Sequence, residues 1–164
     1  NRPRMKFGLL MLVLIFTGHF ALFTYVRPFL ENVTGVATAG ISGILLGFGV
    51  ANFIGTHVAG AIVARSLRLS LTIMPLIIGL AVVGMVSMQG AIAPTALLVA
   101  IWGMAFGGVP VAWSTWITRS VPDEAESGGG LLVPLFRLAL RLVQLQAVSF
   151  LIAAVRLVSS LLLL

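Results

Sequence analysis

The sequence has little charge and no cysteine. Only 9% of its 164 residues are Asp, Glu, Lys or Arg, whereas a soluble domain carries about 25%. So few charged side chains cannot cover a water-exposed globule, which excludes a soluble enzyme and a disordered tail. Without cysteine, a disulfide scaffold and a thiolate metal site are excluded as well. The net charge of +6 comes from cations that stand between long apolar runs, which indicates membrane topology rather than nucleic-acid binding.

The sequence also lacks the common catalytic patterns. It contains no HExxH, GxSxG, P-loop or CxxC motif, and these motifs supply metal, nucleophile, phosphate and redox sites. Two histidines, His19 and His57, are too few for a metal site. We therefore expect a protein that is not an enzyme and that needs no metal or cofactor.

Apolar residues make up most of the chain, at 60% of the sequence. Crossing the hydrocarbon core of a bilayer takes about 20 such residues in a helix. Helices are favoured because lipid offers no partner for open backbone groups, and because a barrel would show an alternating pattern. We predict an all-α membrane protein, a polytopic bundle with four firm transmembrane helices, over residues 7–26, 38–64, 69–88 and 95–117.

The cations predict the orientation of these four helices. Three places fall on the same side of an alternating chain: Arg2, Arg4 and Lys6 before the first helix, Arg65 and Arg68 between the second and third, and Arg119 after the fourth. The other side carries Arg27, Glu31 and an uncharged loop over residues 89–94. By the positive-inside rule, the amino terminus lies in the cytoplasm. Because Pro28 disfavours helix in the residue before it, we expect Arg27 to mark the outer end of the first helix.

The composition changes after Gly130. All 18 glycines lie at or before this residue, whereas residues 131–164 contain 13 leucines and no glycine. Fourteen residues separate Arg141 from Arg156, which is about 21 Å of helix and short for a membrane span. We predict two regions, a transmembrane bundle over 1–130 and a Leu- and Arg-rich helix of uncertain insertion over 131–164.

Four residues are candidates for contact with a solute. His19 lies near the middle of the first helix, and Phe23 lies one turn further on the same face. An ionisable residue at this depth faces the bundle interior or a water-filled path. His19 either binds a polar substrate or moves a proton, or it is a neutral histidine bonded to another helix. Asn52 is either a link between helices or a substrate contact. Trp113 is either an interfacial residue or a surface on which a flat ligand stacks.

Small residues recur at every fourth position of the second helix: Gly43, Gly47, Ala51, Gly55 and Ala59. The fourth helix repeats this spacing with Gly103 and Gly107. Such stripes let helix backbones approach closely in lipid, and they also suit a surface that slides or hinges. Gly107 and Gly108 before Pro110 favour a flexible or bent point in the fourth helix.

Three segments carry a resemblance to a known family. Residues 60–68 read GAIVARSLR, in which Gly60, Arg65 and Arg68 match the cytoplasmic loop motif GxxxDRxGRR of the major facilitator superfamily, which this segment resembles. Residues 16–28 (FTGHFALFTYVRP) and 110–119 (PVAWSTWITR) resemble helices seven and ten of bacterial drug/proton-antiporter-type efflux transporters. The resemblance covers roughly residues 7–127 and is strongest to the purine ribonucleoside efflux pumps. In that group glutamine is expected where this chain has His19.

The resemblance implies the carboxyl-terminal half of a twelve-helix transporter, beginning at helix seven. It implies export of a small polar or aromatic solute, nucleoside-like or drug-like, by alternating access with proton coupling in a bacterial inner membrane. The coupling carboxylates would belong to a missing amino-terminal half. Because residues 131–164 depart from the family pattern, we hypothesise a reading-frame shift near residues 128–130. The alternative is a self-contained, homo-oligomeric membrane protein that transports nothing by itself.

Cysteine labelling tests the predicted orientation, because the chain has no cysteine of its own. We expect Gln89→Cys to react with a membrane-impermeant maleimide in intact cells. Ser66→Cys should react only after the membrane is made permeable, since the positive-inside rule places it in the cytoplasm. The reverse labelling pattern would contradict the orientation.

Overall fold

Long helices dominate the computed structural model, which describes residues 3–88, 90–120, 133–134 and 137–146. Within these ranges every regular element is helical, so the predicted all-α class is confirmed. The four long helices are α1 (Pro3–Asn32), α2 (Thr38–Arg65), α3 (Leu67–Ser87) and α4 (Ile92–Ser120). All four are long and apolar enough to cross a membrane, α1 over Gly8–Asn32. The chain is therefore a multi-pass membrane protein.

The described residues belong to two packing units. One unit comprises Asn1–Thr24 and Gly130–Leu164, and the other comprises Tyr25–Gly129. In the first unit, residues 133–134 and 137–146 are helical, and the buried side chains include Leu12, Phe16, His19, Ala139 and Val143. The rest of 131–164 and the proposed frame-shift point lie outside the described residues. The predicted division of the chain into 1–130 and 131–164 stays a prediction.

Helix α1 continues past the point where the sequence predicted its end. Pro28 lies inside the helix, which runs on to Asn32, so the expectation that Arg27 marks its outer end is wrong. A proline removes only one backbone hydrogen bond, and its fixed φ is compatible with a helix. The turn comes instead at Gly35, whose φ of +71° favours glycine. There the Val36 amide donates to the carbonyl of Leu30 at 2.9 Å.

A single residue, Ser66, joins α2 to α3. Its extended backbone (φ −158°, ψ 101°) ends one helix and begins the next. The Ser66 amide donates to the Ile62 carbonyl at 3.0 Å, and its Oγ accepts from the Leu69 amide at 3.3 Å. One serine thus satisfies backbone groups at both helix ends. Because the turn is so short, Arg65 at the end of α2 and Arg68 at the start of α3 lie at the same end of these two helices.

Helix α4 is the centre of the second unit. It packs against both α2 and α3, which contact each other much less. Of its most apolar stretch, 44% is buried, against 17% for α2. Trp102 is fully buried, and its ring lies 4.7 Å from that of Phe48 on α2. The core of this unit therefore follows the two faces of α4.

Helices α2 and α4 meet with their backbones almost in contact. A Cβ atom added at Gly103 would lie 2.6 Å from the carbonyl oxygen of Phe48, and one at Gly107 would overlap the carbonyl oxygen of Asn52. Gly55 is constrained in the same way by the carbonyl oxygen of Met104. Only glycine fits at such positions.

The predicted stripe of small residues on α2 is used over part of its length. Gly55 and Ala59 are buried, whereas nothing lies within 4 Å of a Cβ added at Gly43 or Gly47. On α4, Gly108 meets Met74 of α3, whose Cε would lie 2.5 Å from an added Cβ. Helix α4 stays continuous through this point. Close packing thus accounts for the glycine pair that suggested a flexible point.

Substituting these glycines separates close packing from simple helix propensity. We expect Gly55→Ala to lower the free energy of unfolding by about 1–3 kcal/mol, because the new methyl group has no room beside Met104. Gly47→Ala is the matched control on the same helix. It should leave stability unchanged or raise it by about 0.5–1 kcal/mol, since the position is open and alanine favours helix. Reversible unfolding in mixed micelles measures both values, and equal effects would contradict the packing.

Candidate substrate-binding residues

His19 and Phe23 are brought together on α1. His19 is buried, with 6% of its surface exposed, whereas Phe23 is 44% exposed. Their rings are nearly parallel, with centroids 6.1 Å apart, and Phe20 meets His19 edge-on at 5.3 Å. A buried imidazole thus lies among phenylalanine rings, one of which is partly exposed. A hydrogen-bonding group and an aromatic ring lie side by side at this point of the helix.

Asn52 takes part in the contact between α2 and α4. Its Nδ2 donates to the Gly103 carbonyl oxygen at 3.2 Å. One turn on, the Thr56 hydroxyl lies 3.0 Å from the carbonyl oxygens of Gly107 and Asn52 and donates to either. Both glycine carbonyls are reachable because the missing side chains bring the backbones close. Asn52 therefore has the geometry of a link between helices, and it remains half-buried.

Trp113 lies further along α4, in a different setting. It is buried, with 6% of its surface exposed, and meets Trp116 edge-on with centroids 5.4 Å apart. Ten residues separate it from Gly103, which is about 15 Å along a helix. Asn52 and Trp113 therefore lie at different depths of the second unit. His19 and Phe23 belong to the first unit, whereas Asn52 and Trp113 belong to the second.

The residues of the predicted loop motif lie around the turn between α2 and α3. Arg65 is the last residue of α2 and Arg68 lies in the first turn of α3. Both side chains are exposed, as is Gly60. Nothing lies within 4 Å of a Cβ added at Gly60, so packing in the described residues does not require glycine here.

Some features of the second unit have only weak signals in the sequence. Thr56 bridges to α4, and its spacing of four residues from Asn52 was the only indication. His57 lies against Phe53, with ring centroids 4.3 Å apart. Its Nδ1 donates to the Phe53 carbonyl oxygen at 2.9 Å, which leaves Nε2 as an acceptor in the neutral ring. Both rings are exposed.

The chemistry offered by the candidate residues is that of reversible binding. Within the described ranges, no three His, Asp or Glu side chains come together as a metal site. The candidate set supplies an imidazole, a carboxamide, a phenyl ring and an indole. These groups recognise a ligand through hydrogen bonds and stacking. They suit a small molecule with both polar and aromatic parts.

Comparison with known proteins finds purine ribonucleoside efflux pumps among the relatives of this chain. The chain is 39% identical over 139 residues, or 85% of its length, to the purine ribonucleoside efflux pump NepI of Salmonella paratyphi B and of Salmonella enteritidis. The same identity and coverage hold for NepI of Salmonella typhimurium. The chain spans about a third of the length of these relatives, 35% in each case. No family model matches the chain, and no solved structure matches it.

The similarity to efflux pumps is consistent with the four apolar helices of the chain and with its three segments that resemble efflux transporters. An identity of 39% over 85% of the chain lies far above chance similarity of apolar helices, since many relatives match it significantly. The predicted resemblance is therefore confirmed: the chain is a homologue of part of the purine ribonucleoside efflux pumps, which are efflux transporters of the major facilitator superfamily.

Proposed function

We propose that this chain is the carboxyl-terminal part of a secondary-active efflux transporter. The observation that carries the proposal is the identity of 39% to efflux pumps over 85% of the chain. Helices α1 to α4 would correspond to helices seven to ten of the transporter. The exported solute is small and polar or aromatic, nucleoside-like or drug-like, in keeping with relatives that are named purine ribonucleoside efflux pumps.

The proposed mechanism is alternating access coupled to protons. In such transporters one half rocks against the other around a site near the middle of the membrane. Among the described residues the only carboxylate is Glu31, at the end of α1. A carboxylate that binds the coupling proton would therefore come from the missing amino-terminal half, which we propose as the partner of this chain. The amino terminus of the chain would be cytoplasmic, in a bacterial inner membrane.

His19, Phe23, Asn52 and, more weakly, Trp113 are the proposed contacts with the solute. Support for His19 comes from its burial at mid-helix, because an ionisable group at this depth is costly unless it has a role. Phe23 supports it with an exposed ring beside the imidazole. Asn52 also has a structural role, since its amide donates a hydrogen bond to the Gly103 carbonyl oxygen of α4.

Reconstitution tests the proposal directly. We expect the chain alone, in proteoliposomes with an imposed proton gradient, to move no purine ribonucleoside. Co-expression with the amino-terminal part of Salmonella typhimurium NepI should restore flux, because alternating access needs both halves. Intact NepI in the same vesicles is the positive control. Flux by the chain alone would contradict the need for a second half, and no flux from the restored pair would contradict the substrate class.

Substitution of His19 in that restored transporter tests its proposed role. Loss of one hydrogen bond to the solute should raise KM about tenfold in His19→Leu. His19→Gln keeps a donor and an acceptor in a side chain of similar reach, and we expect it to retain most of the flux. Equal losses in both variants, with unchanged amounts of folded protein, would assign His19 to packing instead.

Asn52 can be assigned by measuring stability and transport together. We expect Asn52→Ala and Thr56→Val each to lower the unfolding free energy by about 0.5–1.7 kcal/mol, the usual range for hydrogen bonds between membrane helices. If Asn52 also contacts the solute, only Asn52→Ala raises KM. Thr72→Val is the control, because its hydroxyl bonds to Arg68 within its own helix. An unchanged KM in Asn52→Ala would remove Asn52 from the binding residues.

The alternative is a self-contained homo-oligomer without transport activity. Its support is the large apolar surface of α2, where Leu46 and Phe53 are 69% and 66% exposed. A partner must cover such a surface, and lipid, a second copy or a missing half would all serve. Cross-linking in membranes distinguishes these cases, because a self-contained bundle gives one discrete homo-oligomer.

A further inference from the structure

An apolar groove runs between α2 and α3 over the surface of α4. Its volume is about 290 Å³, close to the lower end of ligand pockets, which range over about 300–1,000 Å³. The lining residues come from all three helices and include Val58 and Ile62 of α2, Ser70 and Ile73 of α3, and Ile101 and Met104 of α4. The groove opens outward, because Val58, Leu69 and Ile73 are 47%, 51% and 39% exposed.

The surface of the groove suits hydrocarbon and not a polar solute. Ser70 is the only lining residue with a polar side chain. Its hydroxyl is already used, because it donates to the Ser66 carbonyl oxygen at 3.1 Å within the helix turn. A polar molecule in the groove would lose its hydrogen bonds to water and gain none in return. A flexible apolar chain loses nothing on entering.

Two arginines stand at one end of this groove. The lining residue Ile62 lies one helical turn before Arg65, and Leu69 directly follows Arg68. Both guanidinium groups are exposed. The only carboxylate in the described part of the chain is Glu31, near the end of α1. Neither arginine forms an ion pair with it. Within the described ranges, the end of the groove therefore presents two positive charges that no carboxylate pairs with.

We propose that the groove binds one acyl chain of an anionic phospholipid, with the lipid phosphate held between Arg65 and Arg68. The apolar groove and the cationic end match the two parts of such a molecule, a hydrocarbon chain and a charged head group. Basic pockets between membrane helices recognise anionic head groups in this way. Arginine suits the phosphate because its planar donors bind two oxygens at once. The proposal concerns lipid, and it is independent of the transport activity proposed above.

Native mass spectrometry of the delipidated full chain in detergent tests the site. The probes are phosphatidylglycerol and phosphatidylcholine with the same acyl chains. We expect about a tenfold preference for phosphatidylglycerol, reflecting two basic side chains near the phosphate. The double variant Arg65→Gln/Arg68→Gln should abolish this preference. Arg27→Gln on α1 is the charge control and should keep it.

A second pair of variants tests the groove itself. Ile73→Trp fills the groove and should lower binding of phosphatidylglycerol several-fold. Val83→Trp places the same side chain on the exposed face of α3 outside the groove and should leave binding unchanged. Dihexanoyl phosphatidylglycerol, whose chains are too short to fill the groove, should bind more weakly than the long-chain lipid. Circular dichroism checks that every variant keeps its helix content.

Three results would overturn the proposal. The first is an unchanged head-group preference in the double arginine variant. The second is equal binding by Ile73→Trp and Val83→Trp. The third is a change of oligomeric mass in Ile73→Trp without any change in lipid binding, which would assign the groove to a second copy of the chain.

Discussion

The contact between α2 and α4 sets the geometry of the second unit. Three glycines, Gly55, Gly103 and Gly107, remove the side chains that would otherwise hold the two backbones apart. In lipid the hydrophobic effect does not drive helices together, so close packing and hydrogen bonds between helices must do so. The approach brings the carbonyl groups of α4 within reach of Asn52 and Thr56. Packing and hydrogen bonding at this contact therefore depend on the same absent side chains.

The groove between α2 and α3 is a consequence of that arrangement. Because α4 packs against both helices, α2 and α3 are kept apart along much of their length. They are nevertheless joined by Ser66 alone, so they converge at one end. The groove closes at the end where Arg65 and Arg68 lie. A short loop thus determines both the shape of the groove and the charge at its end.

The polar residues of the membrane helices divide into two kinds. Asn52 and Thr56 donate hydrogen bonds to carbonyl oxygens of α4, and these bonds give both residues a structural role. His19 is surrounded by rings of its own helix, beside the exposed Phe23. Relatives that export purine ribonucleosides make solute binding the natural proposal for this second kind. The two kinds differ in the surroundings that are seen: carbonyl groups of α4 for Asn52 and Thr56, and aromatic rings of its own helix for His19.

Sequence patterns determined the helices, because twenty apolar residues without charge permit only one structure in lipid. The predicted second helix, residues 38–64, lies within one residue of α2 at both ends. The predicted start of the third helix at residue 69 is two residues later than the start of α3 at Leu67. The resemblance to efflux transporters likewise came from three short segments, residues 16–28, 60–68 and 110–119. The end of α1 was not predicted correctly. Pro28 suggested an end near Arg27, but the helix continues to Asn32. Only tertiary structure decided which glycines of α2 touch α4 and which stay open, because Gly43, Gly47 and Gly55 all lie on the same stripe of small residues. It also decided that Asn52 bonds to Gly103 and that a groove ends beside two arginines, since both depend on the distance between helices, which a sequence pattern does not contain.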